Sequence, residues 1–301
     1  MERLRKWIQV LWVFLSNGYW AFPLSGTLYQ GPLKVICSPG LNCYSCPAST
    51  TFCPIGSLQQ LLLGVRLSLQ AGQAYVGSFV VGWMGLLAVA FGRLICGWAC
   101  PFGLVQELLH KIPSPKFGVP KALAWGKYLV LVFLVVVLPL TVLNEFQVGT
   151  PWFCKWLCPA GTLEAGIPML LLMPDLRPAA GMLYVFKVTL LAAVLLWSIA
   201  ASRPFCRTLC PLGAFYGLFN RFGLIRLKFT ADNCTKCGAC HQVCPVDIRV
   251  NETPDSAECI RCLRCCVEAC RFDALSLDIA GHVVRSAPPP PDTGMHRRVL
   301  S

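Results

Sequence analysis

Long apolar stretches, broken by short polar, glycine- and proline-rich segments, dominate the first two thirds of the chain. A run from Trp7 to about Leu24 follows Arg3, Arg5 and Lys6. Ser16 and Asn17 interrupt it and no small-x-small cleavage pattern comes after, so it reads as an uncleaved first membrane helix. Residues 25–56 are a Gly/Pro/Cys-rich loop. Ser57 to Gln70 is apolar, too short to span and carries Arg66, which suits a half-buried interfacial helix. Tyr75–Ile95, Ala122–Val142 and Met182–Ala201 are the second, third and fourth spans, with Lys187 positioned to snorkel. Another short apolar piece ends at Pro174. Beyond Lys228 the apolar runs stop. A compact polar, cysteine-dense segment covers 228–280, and a proline-rich tail after Gly281 carries a disorder-type composition.

The expected fold is therefore an all-α membrane bundle over residues 1–227, with four transmembrane helices in two parallel helix-pair repeats. A small α+β ferredoxin-like domain at 228–280 and a disordered tail at 281–301 complete it. Composition agrees: 55% of residues are hydrophobic, 13% are charged, and mean hydropathy is +0.60. A formal charge of +12 suggests nucleic acid in a soluble protein. Here the basic residues flank apolar runs, so anionic lipid headgroups account for them, and nucleic acid drops out. Four spans put both termini on one side. The clusters near Lys6, Lys111, Lys116, Lys121 and Arg203–Lys228, against Lys34, Arg66, Lys155 and Arg177 opposite, make that side cytoplasmic in a bacterial or archaeal inner membrane.

Nineteen cysteines change the picture from a bare bundle to a metalloprotein. Cys234, Cys237, Cys240 and Cys244, with Pro245 next, follow C-x2-C-x2-C-x3-C-P, the ligand run of a bacterial-type ferredoxin whose fourth cysteine serves a second cluster. The partner run is Cys259, Cys262, Cys265 or Cys266, and Cys270. It is irregular: four residues separate Cys265 from Cys270, and Arg271 stands where proline is usual. Zinc is the competing reading of paired cysteines, but it needs four of these nine and fits the spacing less well.

A four-residue word recurs as Cys53-Pro-Ile-Gly, Cys100-Pro-Phe-Gly, Cys158-Pro-Ala-Gly and Cys210-Pro-Leu-Gly, with one predicted helix between successive copies. The copies therefore alternate sides, and residues 1–110 and 122–222 read as parallel repeats. Cys96 and Cys100, like Cys206 and Cys210, are spaced i, i+4, which predicts one helix face for each pair. Together they offer four thiolates for one cytoplasmic-side [4Fe-4S] cluster. On the outer side Cys154 and Cys158 keep the word, but the position four before Cys53 is Ser49. Cys37, Cys43, Cys46 and Cys53 are available, two of them to complete a further cluster; three disulfides are the alternative.

Four spans, the two cytoplasmic C-x3-C-P pairs and the following ferredoxin run resemble the NapH-type membrane ferredoxins. That family includes MauN proteins and the C-terminal half of NosR proteins. The resemblance implies electron transfer between membrane quinone (menaquinone or ubiquinone) and redox partner proteins, as a subunit of an oxidoreductase such as a quinol dehydrogenase. The outer cysteines depart from the nitrate-linked members. A second role stays open, an accessory protein supplying electrons for metalloenzyme assembly, for instance by reducing copper. For quinone, Glu145 and Gln147 beside Asn144 on the outer side, and Glu107 and His110 inside, are polar groups able to accept protons; a solvated helix end is the other reading of each. No hydrolase triad, phosphate loop, flavin motif or C-x-x-C-H site is present in the sequence.

Overall fold

The computed structural model describes residues 2–25, 27–70, 72, 78–145 and 148–284. Its order is helical to Leu218, followed by a small cysteine-bearing module closed by a three-stranded antiparallel sheet. Two helices, Lys121–Thr141 and Met182–Ala200, are long and apolar enough to cross a membrane. Only 22% and 17% of their most apolar windows are buried, so their apolar surface faces outward rather than into a core.

Helix α1, Glu2–Ser16, has the helical period but presents it inside out. Arg5, Gln9 and Ser16 are buried, while Leu4, Trp7, Leu11 and Leu15 are more than half exposed. The expected run to Leu24 is cut at Ser16, whose hydroxyl bonds back to the Trp12 carbonyl at 2.8 Å; Asn17 bonds back to Val13. Both compete with the continuing backbone ladder. Fifteen residues rise about 22 Å, short of a hydrocarbon core of roughly 30 Å. The stretch expected to be the second span is also divided. Its start at 75–77 lies outside the described residues; α3, Ser78–Phe91, stops at Gly92 (φ +54°), and α4, Leu94–Trp98, follows. Between α1 and α3 lies α2, Pro54–Gln70. After α4 come α5 (Pro101–Leu109) and α6 (Lys121–Thr141), then α7 (Pro159–Leu172) and α8 (Met182–Ala200). Helices α9, Pro204–Thr208, and α10, Pro211–Leu218, end the bundle.

In the module, β1 (Ile225–Phe229) pairs with β2 (Leu275–Ile279), and β2 with β3 (His282–Val284). Residues 282–284, expected to begin a disordered tail, are thus a strand; 285–301 lie outside the described residues.

The module is fastened to the bundle by polar side chains. Glu258 accepts from Arg93 at 2.9 Å and from Lys127. Arg261 donates to the Phe91 and Asn220 carbonyls, and Asn220 donates to those of Ser256 and Cys259. Glu2 is held by Arg5 and Arg264. Burial opposes ionisation of Glu2, but the hydrogen bonds from Arg264 and Arg5 outweigh it and hold the carboxyl well below its ordinary range.

Candidate metal centres

All nineteen cysteines are free thiols, and sixteen of them gather into four sets. The first set is Cys234, Cys237, Cys240 and Cys270, lining one small cavity of about 70 Å³ in the module. The second is Cys244, Cys259, Cys262 and Cys265, which lie within electrostatic reach of one another. The last cysteine of each run thus crosses to the other run, as the spacing of the first predicts. The irregular fifth cysteine is also explained. Residues Cys265–Ala269 form a π-turn, with the Cys270 amide bonded to the Cys265 carbonyl at 2.9 Å. A π-turn absorbs one extra residue without moving its ends apart. Cys265 therefore joins the second set, and Cys266 stands beside it, sulfur to sulfur at 3.9 Å.

The third set is Cys96, Cys100, Cys206 and Cys210, all at most 5% exposed and mutually within electrostatic reach. The i, i+4 pairs do not share one helix face. Cys96 lies within α4, whereas Cys100 is the extended residue (φ −86°, ψ 118°) that caps α5; Cys206 and Cys210 repeat this between α9 and α10. Pro101 and Pro211 are the cause. A residue before proline is driven out of the α region, and proline suits the first helical position. Each helix break turns the second thiol inward and starts a new helix beside it.

The two halves exchange arginines across this set. Arg93, three before Cys96, donates to the Cys206 carbonyl at 2.9 Å; Arg203, three before Cys206, donates to the Cys96 carbonyl at 2.5 Å. Both are fully buried, Arg93 held by Glu258 and Arg203 by Glu107. Arg203 is also left-handed (φ 49°), a conformation that costs any residue with a Cβ backbone energy and that its buried ion pair pins. The sequence already holds this signal: an arginine precedes each inner pair by the same three residues.

The fourth set answers which loop cysteines join Cys154 and Cys158. They are Cys43 and Cys53, and the four thiols line a cavity of about 710 Å³. Cys37 and Cys46 turn elsewhere: the Cys46 sulfur lies 3.7 Å from the Asn17 side-chain Oδ1, and Cys37 against the Ser38 backbone carbonyl. Ser49, where the repeat lacks a cysteine, is fully buried and bonded to Asn42 and Thr51. Lys187 does not snorkel away; it lines this cavity and donates to the Cys154 carbonyl at 3.2 Å. Glu164, half-buried beside the set, accepts from the Cys43 amide at 2.7 Å, and desolvation pushes its carboxyl up to about 7.

Two close backbone approaches link the sets in a line. At Gly97 a Cβ would lie 2.6 Å from the Ile260 carbonyl oxygen, so the second set abuts the third. At Gly40 a Cβ would lie 2.8 Å from the Cys100 Cα, so the 25–56 loop reaches onto the third set. From Gly40 to Cys43 is three residues, at most about 11 Å of chain, a third of a bilayer core. Buried Tyr216 braces the same place, donating to the Pro39 carbonyl at 3.0 Å.

The donor sets fit [4Fe-4S] clusters. Each has four thiols, amides of Gly161 and Gly213 point at the Cys158 and Cys210 sulfurs (3.3 and 3.4 Å), and the Gly161 backbone lies against both the Cys43 and Cys158 sulfurs. Among the described residues no three His, Cys, Asp or Glu side chains close in far enough to hold a single ion. A tetrahedral zinc at about 2.3 Å from each sulfur needs thiols within about 4 Å of each other.

The polar groups considered for quinone fare unevenly. Glu107 is committed to Arg5 and Arg203. His110 is half-buried, and its Nδ1 is buried without a partner. The two share a cavity of about 720 Å³. Glu145 is exposed in a turn, and Gln147 lies outside the described residues.

A family described as "4Fe-4S binding domain" matches residues 51–69, 74–120, 127–170 and 185–230, more than half of the chain; a second 4Fe-4S binding domain family matches 227–250. An uncharacterized protein of Methanocaldococcus jannaschii is 33% identical over 207 residues, 65% of this chain and 76% of that protein. The methylamine utilization ferredoxin-type protein MauN of Methylobacillus flagellatus is 32% identical over 64% of this chain and 60% of its own length. The ferredoxin-type protein NapH of Escherichia coli is 26% identical over 74% and 73%. No solved structure matches. The chain belongs to the NapH/MauN-type polyferredoxin family.

Proposed function

We propose that this ferredoxin-type electron-transport protein is an integral membrane carrier with four [4Fe-4S] centres, held by the four thiol sets described above. The observation that carries this reading is their continuity, with backbone contact at Gly97 and again at Gly40. When bound, each cluster supplies a one-electron couple. The chain's own part is to bring the thiols together, exclude water from the third set, and set the surrounding charge. The four spans, cytoplasmic termini and a quinone or outer-side partner belong to the same proposal. The outward-facing apolar surface of α1, α6 and α8 supports the membrane part.

Anaerobic purification with iron and sulfide counts tests it, followed by potentiometric EPR. About sixteen irons per chain supports four centres; about twelve with the Cys43/Cys53/Cys154/Cys158 set freely alkylated removes the outer one. Reduction of the centres by quinol in membranes tests the quinone link. Its failure, alongside copper reduction at the outer cavity, would favour the assembly role.

A further inference from the structure

The cavity of about 720 Å³ between the bundle and the module is walled by Lys6, Lys111, Lys116, Arg207 and Arg264 on its cationic side. Most of its charges are already used. Lys116 donates to three carbonyls and the Ser114 hydroxyl, and Arg264 is bound to Glu2. Glu107 is taken by Arg5 and Arg203, and Asp247 faces His241 at 3.1 Å. Glu268 is the only lining carboxylate without a partner among the described residues.

Arg207 differs. It is 8% exposed, yet its guanidinium makes no hydrogen bond or ion pair among the described residues, and the cavity is the space it borders. Its donors therefore face the cavity, with Asp247 and Glu258 as the carboxylates within electrostatic reach, and none is taken by a protein acceptor. Across the same space the Lys6 and Lys111 ammonium groups lie close enough to repel one another. Arg207 and Lys111, neither of them in an ion pair among the described residues, and Lys6, shared with Glu2 at 3.2 Å, converge on one void and fit an anion with several acceptor oxygens. Phe117, two thirds exposed, forms part of the same wall and gives it an apolar lip.

We propose that this cavity binds a phosphate group, seated on the Arg207 guanidinium and bridging the Lys6 and Lys111 ammoniums. The group is either the headgroup of an anionic phospholipid or a free phosphate compound. The inference does not depend on the clusters, and its phosphate arm does not depend on the membrane reading.

The test uses the full chain with its metal. Native mass spectrometry after reconstitution in phosphatidylcholine with phosphatidylglycerol reports any retained phospholipid; calorimetric titration with inorganic phosphate reports the soluble arm. One retained phosphatidylglycerol per chain, lost in Arg207→Gln and in Lys6→Gln/Lys111→Gln, supports the site and identifies lipid. Phosphate binding weakened at least about tenfold in both variants, with no retained lipid, supports it and identifies a soluble ligand. The double lysine variant lies away from the thiols, so its iron content reports intact folding should Arg207→Gln lose metal. No binding in either arm, or binding unchanged in a variant of normal iron content, overturns the proposal.

Discussion

The third and fourth thiol sets are built from the same word and differ in nearly everything around it. The Cys96/Cys100/Cys206/Cys210 set is sealed, takes one pair from each half, and has a buried arginine from each half laid across its carbonyls. The Cys43/Cys53/Cys154/Cys158 set surrounds an open cavity, draws two thiols from an irregular loop, and rests on a half-buried acid, Glu164. Repetition of a ligand motif thus fixes where thiols can converge, while the local charge that tunes a bound centre comes from residues outside the motif.

The largest effect that sharpens this contrast is on metal content. Cys100→Ser and Cys43→Ser should each remove about four irons per chain, whereas Cys37→Ser and Cys46→Ser should leave the iron count unchanged. Loss of iron from Cys37→Ser would break the assignment of the fourth set. Next is charge. Arg203→Gln leaves Glu107 with only Arg5 in a buried site and should cost about 3–5 kcal/mol, read in thermal unfolding. Glu164→Gln should cost far less, because a carboxyl already pushed up to about 7 surrenders little charge on becoming an amide.

A smaller effect tests the two approach points. Gly97→Ala and Gly40→Ala each push a methyl into facing backbone, at 2.6 and 2.8 Å, and should destabilise by about 1–3 kcal/mol. The magnetic coupling between neighbouring reduced centres should weaken at the same step, Gly97→Ala acting on the module side and Gly40→Ala on the outer side. The potentials should then follow the charges: the third set's centre should titrate above the fourth's, with Arg203→Gln lowering it by on the order of tens of millivolts. Equal potentials would erase the contrast.

The smallest effect concerns pH at the module seam. Glu2 is held below its ordinary range by Arg264 and Arg5 against the pull of burial. A carboxyl lowered in the folded state stabilises above its unfolded value and loses that contribution as pH falls through the folded one. Acidification below about 4.5 should therefore loosen the module, seen as faster amide exchange in β1–β3, and Glu2→Gln should flatten that dependence.

Much of the fold was legible because apolar periodicity and length are local. Lys121–Thr141 and Met182–Ala200 fall within a residue of the expected third and fourth spans. The first was not, because Ser16 and Asn17 turn their side chains back onto the backbone and end the helix early. The four inner thiols converge, but the pairs expected on one helix face are divided, because proline's effect on the preceding residue broke the helix between the two thiols.

By itself the sequence determined the chemistry: thiols at ligand spacing, the four-fold word, and the family they imply, since each is carried by neighbours along the chain. Only the tertiary structure gathers Cys43 and Cys53, rather than Cys37 and Cys46, around one cavity with Cys154 and Cys158, and sets Cys265 within reach of Cys259 and Cys262. It also sets Gly40 of the 25–56 loop against Cys100. Those choices depend on which backbones can approach without a side chain between them, a property of two distant segments at once that no local pattern records.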